Sequence, residues 1–424
     1  MTVNGNGARR RVVVTGMGLV TPVGNDLQTA WDALKAGRSG AGPITQFDTT
    51  DFDVRFAAEV KNFEVERYLE RKEAKRMDRF AQLAMAASQE AVTQAGLADQ
   101  PANVNFDRVG VLIGSGIGGI STFEEQTRVM LARGPRRISP FFVPMFIPDI
   151  AAGHVSMRYG MRGPNYCTVS ACASSAHALG NALRLIQGGE ADVMVAGGAE
   201  ATVTPLTIAG FANMKALSDR NDSPETASRP FDATRDGFVL GEGSGVLVLE
   251  ALEHAQQRGV EILGELTGFG QSADAYHLTA PAPQGAGAQL AIRAALRDAG
   301  LDTTDVDYIN AHGTSTPMND LNETLAVKAV FGDHAYKLVM GSTKSMTGHL
   351  LGAAGGVEAV ICALVCREGT IPPTINFTTA DPACDLNYAH NQLIERDVRV
   401  AATNSFGFGG HNVCLTMQRW DGAA

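Results

Sequence analysis

Aromatic residues make up only 6% of the 424 residues, with two tryptophans, so stacked rings cannot supply the core. With 45% apolar residues and 47 glycines, the chain can instead bury a large core of small side chains in closely packed helices and strands joined by tight turns. Basic residues are in deficit, 35 Lys and Arg against 45 Asp and Glu, and the net charge of −10 argues against a general nucleic-acid binder. No apolar run reaches the ~18 residues of a spanning helix, and the opening MTVNGNGARRR is short and polar. Neither a membrane span nor a signal peptide is expected, and a cytoplasmic location is. The six cysteines, Cys167, Cys172, Cys362, Cys366, Cys384 and Cys414, form no C-x-x-C pair and no Cys/His cluster with zinc spacing, so free thiols are expected. Cys362 and Cys366, four apart on an apolar helical stretch, read as small core residues.

What is present is an alternation of short apolar strands and helical stretches. Residues 11–24, RVVVTGMGLVTPVG, read as a buried strand running into a glycine-rich turn, and residues 31–37 as a short helix. Gly16-Met-Gly18 lacks a third glycine at the required offset and a following acid, so no dinucleotide site is expected. Residues 67–96 carry a long helical pattern whose start is dense in cations: Arg71, Lys72, Lys75, Arg76 and Arg79. On the residues alone, a docking patch for an acidic partner and a solvated face interleaved with Glu70, Glu73 and Asp78 both remain open. Further strands are expected at 109–119, ending in a glycine turn, at 166–169 and at 192–198, with an apolar, proline-broken pocket or subunit contact at 141–150. A loop rich in glycine and charge leads into another strand over 231–250, and a helix follows at 252–258. Residues 264–274, GELTGFGQSAD, then echo the opening strand and its Gly-x-Gly, dividing the chain into halves at 1–260 and 261–424. Strands at 306–311 and 338–343 continue the alternation, which predicts an α/β fold with mainly parallel sheet.

The stretch TVSACASS, residues 168–175, places Cys172 among small residues at a strand-to-helix junction. Unpaired N–H groups and the positive end of the helix dipole there favour a thiolate, and small neighbours leave room for a substrate carbonyl. Loops at the carboxyl ends of neighbouring strands gather into one crevice. His312 in HGTSTPMND and Lys344 and His349 in KSMTGHLLGAAGG each closely follow a predicted strand, so Cys172 and both histidines are expected to meet. A thiol nucleophile with two imidazoles suits covalent catalysis on an acyl group. His177 is a poor rival, because five residues along a helix is ~500° of turn. A third loop, NSFGFGGHN at 404–412, is rich in glycine and phenylalanine.

Taken in order and spacing over almost the whole chain, VSACASSAHA, NAHGTSTPMND, KSMTGHLLGAAG and GFGGHN resemble the elongating β-ketoacyl-acyl-carrier-protein synthases, nearest the synthase II group of bacterial fatty-acid synthesis. SRPFDATRDGFVLGEG (228–243) and GPRRISPFFVP (134–144) extend the likeness. The resemblance implies a thiolase-like fold of two similar halves stacked as αβαβα layers, usually a homodimer. It implies that Cys172 takes an acyl chain from acyl carrier protein, with the N–H groups of Cys172 and Phe408 as an oxyanion hole contributing ~3–4 kcal/mol each. His312 and His349 would hold the enolate left when malonyl-acyl-carrier-protein loses CO2, with Lys344 and Glu323 as a supporting ion pair and Asp320 ordering the loop. Thr314 and Thr316 match phosphopantetheine-binding positions, Ile117 and Phe211 line the acyl pocket, and Phe408 gates it. Lys72, Lys75 and Arg76, with Lys215, match a patch that docks the acidic carrier. No cofactor is required, although in some members a cluster matching Asn310, Glu358, Thr403 and Asn404 holds K+ or Na+. His411 stands where threonine is frequent, and Met318-Asn319 replaces Leu-Gly, changes that bear on loop mobility. A Cys-His-His set differs from the Cys-His-Asn and Cys-His-Cys sets of chain-initiating synthases and thiolases. A ketosynthase of a polyketide pathway would carry the same catalytic residues and is the alternative reading.

Overall fold

The computed structural model describes residues 9–422, so the first eight residues of the polar opening lie outside it. Its main strands are β1 (Val12–Val20), β2 (Val109–Gly114), β3 (Asn165–Tyr166), β4 (Val193–Glu200), β5 (Gly243–Ala251), β6 (Gly264–Ala273), β7 (Tyr308–Asn310), β8 (Val339–Gly341), β9 (Val400–Gly407) and β10 (His411–Gln418). They form a ladder in the order β8-β7-β9-β10-β6-β1-β5-β4-β2-β3. The five strands from residues 12–251 lie on one side and the five from 264–418 on the other. The two sides are joined by a short antiparallel pairing, Val13 with Glu265 and Val14 with Gly264.

Five helices give the layering: α1 (Arg79–Gln94), α2 (Ser174–Gln187), α3 (Ala286–Ala299), α4 (Pro317–Phe331) and α5 (Ala354–Glu368). Helix α1 covers β1, β4 and β5 from outside, and α3 covers β6 and β10 with α4 against it. Between the two sides lie α2 and α5. Helix α5 touches β4 and β5 on one side and β9 and β10 on the other, and every residue from Ala354 to Cys366 is buried. Apart from the single acid Glu358, its sequence AGGVEAVICALVC is apolar on every face, as suits a helix between two sheets. Cys362 and Cys366 are core residues there, and all six cysteines are free.

Several elements differ from the sequence expectation. Gly16 and Gly18 lie inside β1, not in a turn, and α1 crosses them so closely that a Cβ would stand 2.1 Å from the Ala91 oxygen and 2.0 Å from the Ala87 oxygen. In β6, Gly268 and Gly270 stand in the same relation to α3, with Cβ positions 2.4 Å from the Ala295 oxygen and 2.0 Å from the Ala291 oxygen. The echo between the two stretches is thus a shared helix-on-strand contact. The sheet is mixed, not mainly parallel: β2 and β4 pair in parallel, but β5 returns antiparallel between β1 and β4, and β9 and β10 form a hairpin. That hairpin takes up most of 404–412, leaving Phe408–Gly410 as its tip. The helical pattern over 67–96 breaks where the Asp78 side chain caps α1 by accepting from Phe80 N–H, so the cations before it sit on short turns. The strand at 166–169 stops at Tyr166, because Thr168 Oγ1 turns to donate to the Ser174 carbonyl.

Placing a methyl group between β1 and α1 has nowhere to go. Gly18→Ala and Gly270→Ala are each expected to destabilise the fold by about 1–3 kcal/mol, read as a lower denaturant midpoint at unchanged slope. Gly42→Ala, where nothing lies within 4 Å of the added carbon, serves as the neutral comparison.

Candidate active site

Cys172 sits on a tight turn before α2. Ala171 adopts φ +50°, a left-handed conformation that is costly for alanine and persists only where neighbours hold it. Ser174 does so: its hydroxyl donates to the Ala171 carbonyl at 2.7 Å and accepts from Ser170 N–H at 2.9 Å. The tip of the β9–β10 hairpin leans on this turn, and Gly407 comes so near that a Cβ would lie 2.7 Å from the Ser170 oxygen. The approach brings Phe408 N–H onto the Cys172 sulfur, beside the cysteine's own N–H. The sequence expectation of a ready thiolate is corrected here. Cys172 is only 7% exposed, and burial pushes its thiol up to about 12, against the opposing pull of the Lys344 charge and those two N–H groups.

The two histidine loops close over the sulfur. His349 Nε2 is 3.0 Å from Cys172 Sγ, and the His312 and His349 rings stand edge to face with centroids 5.2 Å apart. One nitrogen from each ring and the sulfur all lie within 4.8 Å of one another. Burial holds both imidazoles well below the usual histidine range, and the Lys344 charge adds to the effect. Both rings are therefore neutral at pH 7. His177 plays no part with the sulfur: it bonds Ser170 Oγ at 2.7 Å and meets the edge of Phe269.

The expected Lys344–Glu323 ion pair does not form. Lys344 Nζ binds Glu358 on α5, which reaches it from the central layer, whereas Glu323 on α4 accepts the backbone N–H groups of His312 and Gly313, each at 2.8 Å. Glu323 also accepts from Asn404 Nδ2 at 3.1 Å. Burial raises both carboxyl groups to about 7. Glu323 thus holds the backbone of the first histidine loop, and Lys344 supplies the charge. Asp320 accepts from Phe231 N–H at 2.9 Å and Asn319 Nδ2 at 3.1 Å, tying that loop to the 228–243 segment.

Asn310, Glu358, Thr403 and Asn404 come together around this group, Asn310 and Thr403 being register partners on β7 and β9. Asn310 Oδ1, Glu358 Oε2, Thr403 Oγ1 and Asn404 Oδ1 are all buried without a hydrogen-bond partner. Four orphaned oxygens are costly unless a cation or water satisfies them, so these residues fit a monovalent cation.

A cavity of about 500 Å³ leads to the sulfur. Cys172, His312 and His349 line it together with Ile117, Phe211 and Phe408, and Thr314 and Thr316 stand on its wall with hydroxyls 2.9 Å apart. Met318 and Asn319 also line it. Phe211 packs between Phe238 and Phe408, at centroid distances of 5.3 and 6.4 Å. Lys215 lines the cavity and is exposed, while Lys72, Lys75 and Arg76 form a separate exposed group that does not line it. Arg76 stacks over Phe141 at 4.6 Å.

Two contributors went unread in the sequence, and a third was read only for a cation site. Phe238 meets the edge of His349 at 5.3 Å and Glu200 ends β4 in a buried carboxyl group, while Glu358, expected only near a cation, holds Lys344. For Glu200 a signal existed: an acid closing the otherwise apolar strand VMVAGGAE.

The family model for the beta-ketoacyl synthase N-terminal domain matches residues 9–255, and that for the C-terminal domain matches 263–378. The chain is 54% identical over 412 residues to the 3-oxoacyl-[acyl-carrier-protein] synthase 2 of Synechocystis sp., covering 97% of this chain and 99% of that protein. Among solved structures, a beta-ketoacyl synthase from Burkholderia phymatum superposes with a TM-score of 0.89 at 36% identity, over 97% of this chain and all of the other. The complex of a type II PKS acyl-carrier protein with its ketosynthase bound to the hexaketide gives 0.90 at 35%, over 98% of this chain and 100% of that one. The fold is thiolase-like, and with both domain models matched in succession around a shared Cys-His-His centre, the chain belongs to the beta-ketoacyl synthase family.

Proposed function

We propose that this chain catalyses the decarboxylative condensation of a Cys172-bound acyl group with malonyl-acyl-carrier-protein, giving 3-oxoacyl-acyl-carrier-protein in fatty-acid elongation. The observation that carries this reading is the buried contact of Cys172 Sγ with His349 Nε2 at 3.0 Å, with His312 beside it at the cavity floor. In the first step Cys172 sulfur bonds to the acyl carbonyl carbon, and the phosphopantetheine thiol leaves with the cysteine's proton. The oxyanion formed on the way sits against the N–H groups of Cys172 and Phe408. In the second step the malonyl C–CO2 bond breaks, and its electron pair passes into an enolate whose oxygen accepts from the two neutral imidazoles. The enolate carbon then attacks the Cys172 thioester, and collapse of that adduct expels the sulfur as thiolate. Neutral histidines suit this role, because an imidazolium beside the malonyl carboxylate would oppose CO2 loss by pairing with it. The 54% identity to a synthase 2 favours fatty-acid elongation over polyketide assembly.

Thr314 and Thr316 would hold the phosphopantetheine arm, and Ile117, Phe211 and Phe408 the acyl chain. Exposed Lys72, Lys75, Arg76 and Lys215 would dock the acidic carrier. Asn310, Glu358, Thr403 and Asn404 would hold K+ or Na+, whose charge steadies the Lys344–Glu358 pair behind the histidines. A homodimer is supported by β3, at one of the two open edges of the ladder, and by exposed Met157 on the helix Ile150–Tyr159 and exposed Tyr166 on β3 at that edge. No described helix is long and apolar enough to cross a membrane.

His349→Ala is expected to accept an acyl group yet lose malonyl decarboxylation by about 10²-fold or more; CO2 release at the wild-type rate would refute the enolate role. Because both histidine values are depressed, neither imidazole should take up a proton between about pH 7.5 and about pH 6, where an ordinary histidine does; NMR of the two rings in the wild-type protein should read neutral imidazole throughout, and protonation of either ring in that window would contradict this. Raising salt to ~0.5 M should raise the apparent KM for the carrier-borne substrate, and a constant KM would count against the basic patch. Replacing K+ and Na+ with choline should lower the melting temperature, an effect that Asn310→Ala abolishes if the four oxygens hold the ion.

A further inference from the structure

Glu200 is wholly buried at the end of β4, and the mechanism above does not use it. Its carboxylate accepts four hydrogen bonds, all from neutral donors. Oε1 takes Ser115 Oγ at 2.9 Å and Ile117 N–H at 3.1 Å, and Oε2 takes Gly116 N–H at 2.6 Å and Gly352 N–H at 2.9 Å. Ser115 Oγ in turn accepts from Gly118 N–H at 3.1 Å, so the whole 115–118 turn hangs on this one group. Gly116 and Ile117 form one wall of the cavity, while Gly352 follows His349 by three residues, with Leu351 between them at φ +44° and also lining the cavity. The two segments touch: a Cβ on Gly352 would stand 2.2 Å from Gly116 N and 2.6 Å from Glu200 Oε2. Oε2 alone accepts from both segments, and only a carboxylate accepts from all four donors at once. Glutamine would turn an NH2 group toward at least one backbone N–H donor whichever way it faced.

We propose that Glu200 is a positioning residue that locks the acyl-cavity wall at Gly116–Ile117 to the His349 loop through Gly352, and so sets which acyl chain lengths reach Cys172. The proposal rests on the reading of Cys172 as the acyl acceptor. A short chain stays near the sulfur and makes little use of the Ile117 wall. A long chain must pass it, and the wall must yield without displacing His349.

The test is the rate at which the full-length protein takes up butanoyl and dodecanoyl groups from acyl carrier protein, followed by intact mass. Glu200→Gln should lower the dodecanoyl-to-butanoyl rate ratio by about tenfold. In an Ile117→Ala background the same change should alter the ratio by less than about twofold, because the side chain whose position Glu200 sets through the backbone is already gone. Should Glu200→Gln fail to fold, Glu200→Asp, which withdraws the carboxylate by one methylene, reads the same ratio. Equal slowing of both chains, or an equal effect with and without Ile117, overturns the proposal while leaving the functional reading intact. A wild-type protein that takes up neither group overturns both.

Discussion

The burial of Cys172, His312 and His349 around the Lys344 charge is the constraint on which the site depends. In water a cysteine and two histidines near pH 7 would exchange protons freely. Here, desolvation makes every extra charge expensive, so the imidazoles rest neutral and the thiol rests protonated. The Lys344 side chain beside them is pinned by Glu358 from α5. In the proposed mechanism the consequence is a site whose N–H groups are already aimed where negative charge develops, first at the acyl carbonyl and then at the enolate. Such preorganised donors act more strongly in a dry cavity than in water.

Close packing makes that arrangement possible. The glycines of β1 and β6 let α1 and α3 lie directly on the strands, and the small-residue face of α5 lets both sides of the sheet meet at one helix. The loops after β7 and β8 and the hairpin tip after β9 then converge on the turn before α2. Gly407 performs the last step, since only a residue without a side chain brings Phe408 N–H onto the sulfur. The scarcity of aromatics in the chain has a counterpart in the site, where Phe211, Phe238, Phe406 and Phe408 gather about the cavity and its histidines.

Much of this was legible in the residues. Cys172 stands in a stretch of small residues, and His312 and His349 in glycine-containing loops, each next to a predicted strand, and the α/β topology forces such stretches together. Pairings decided in three dimensions were not legible. Lys344 meets Glu358 and not Glu323, because α5 passes beneath the lysine while Glu323 faces the backbone of its own loop. Gly-x-Gly signalled a turn where the true cause was a helix pressed against a strand. The cationic stretch before α1 read as one long helix because periodicity does not register a cap, and Asp78 ends it by taking up Phe80 N–H. The thiol was expected to be acidic because a helix start is visible in sequence and the depth of burial is not.

The account's central claim is that Cys172 carries the acyl chain while the histidines serve the second substrate. Intact-mass measurement after incubation with acyl carriers of graded length tests it most directly, comparing the wild-type protein with Cys172→Ala and His312→Ala. The account predicts one acyl adduct per chain, localised to Cys172, absent in Cys172→Ala and still formed in His312→Ala. An adduct on another residue, or condensation at the wild-type rate by Cys172→Ala, would contradict it.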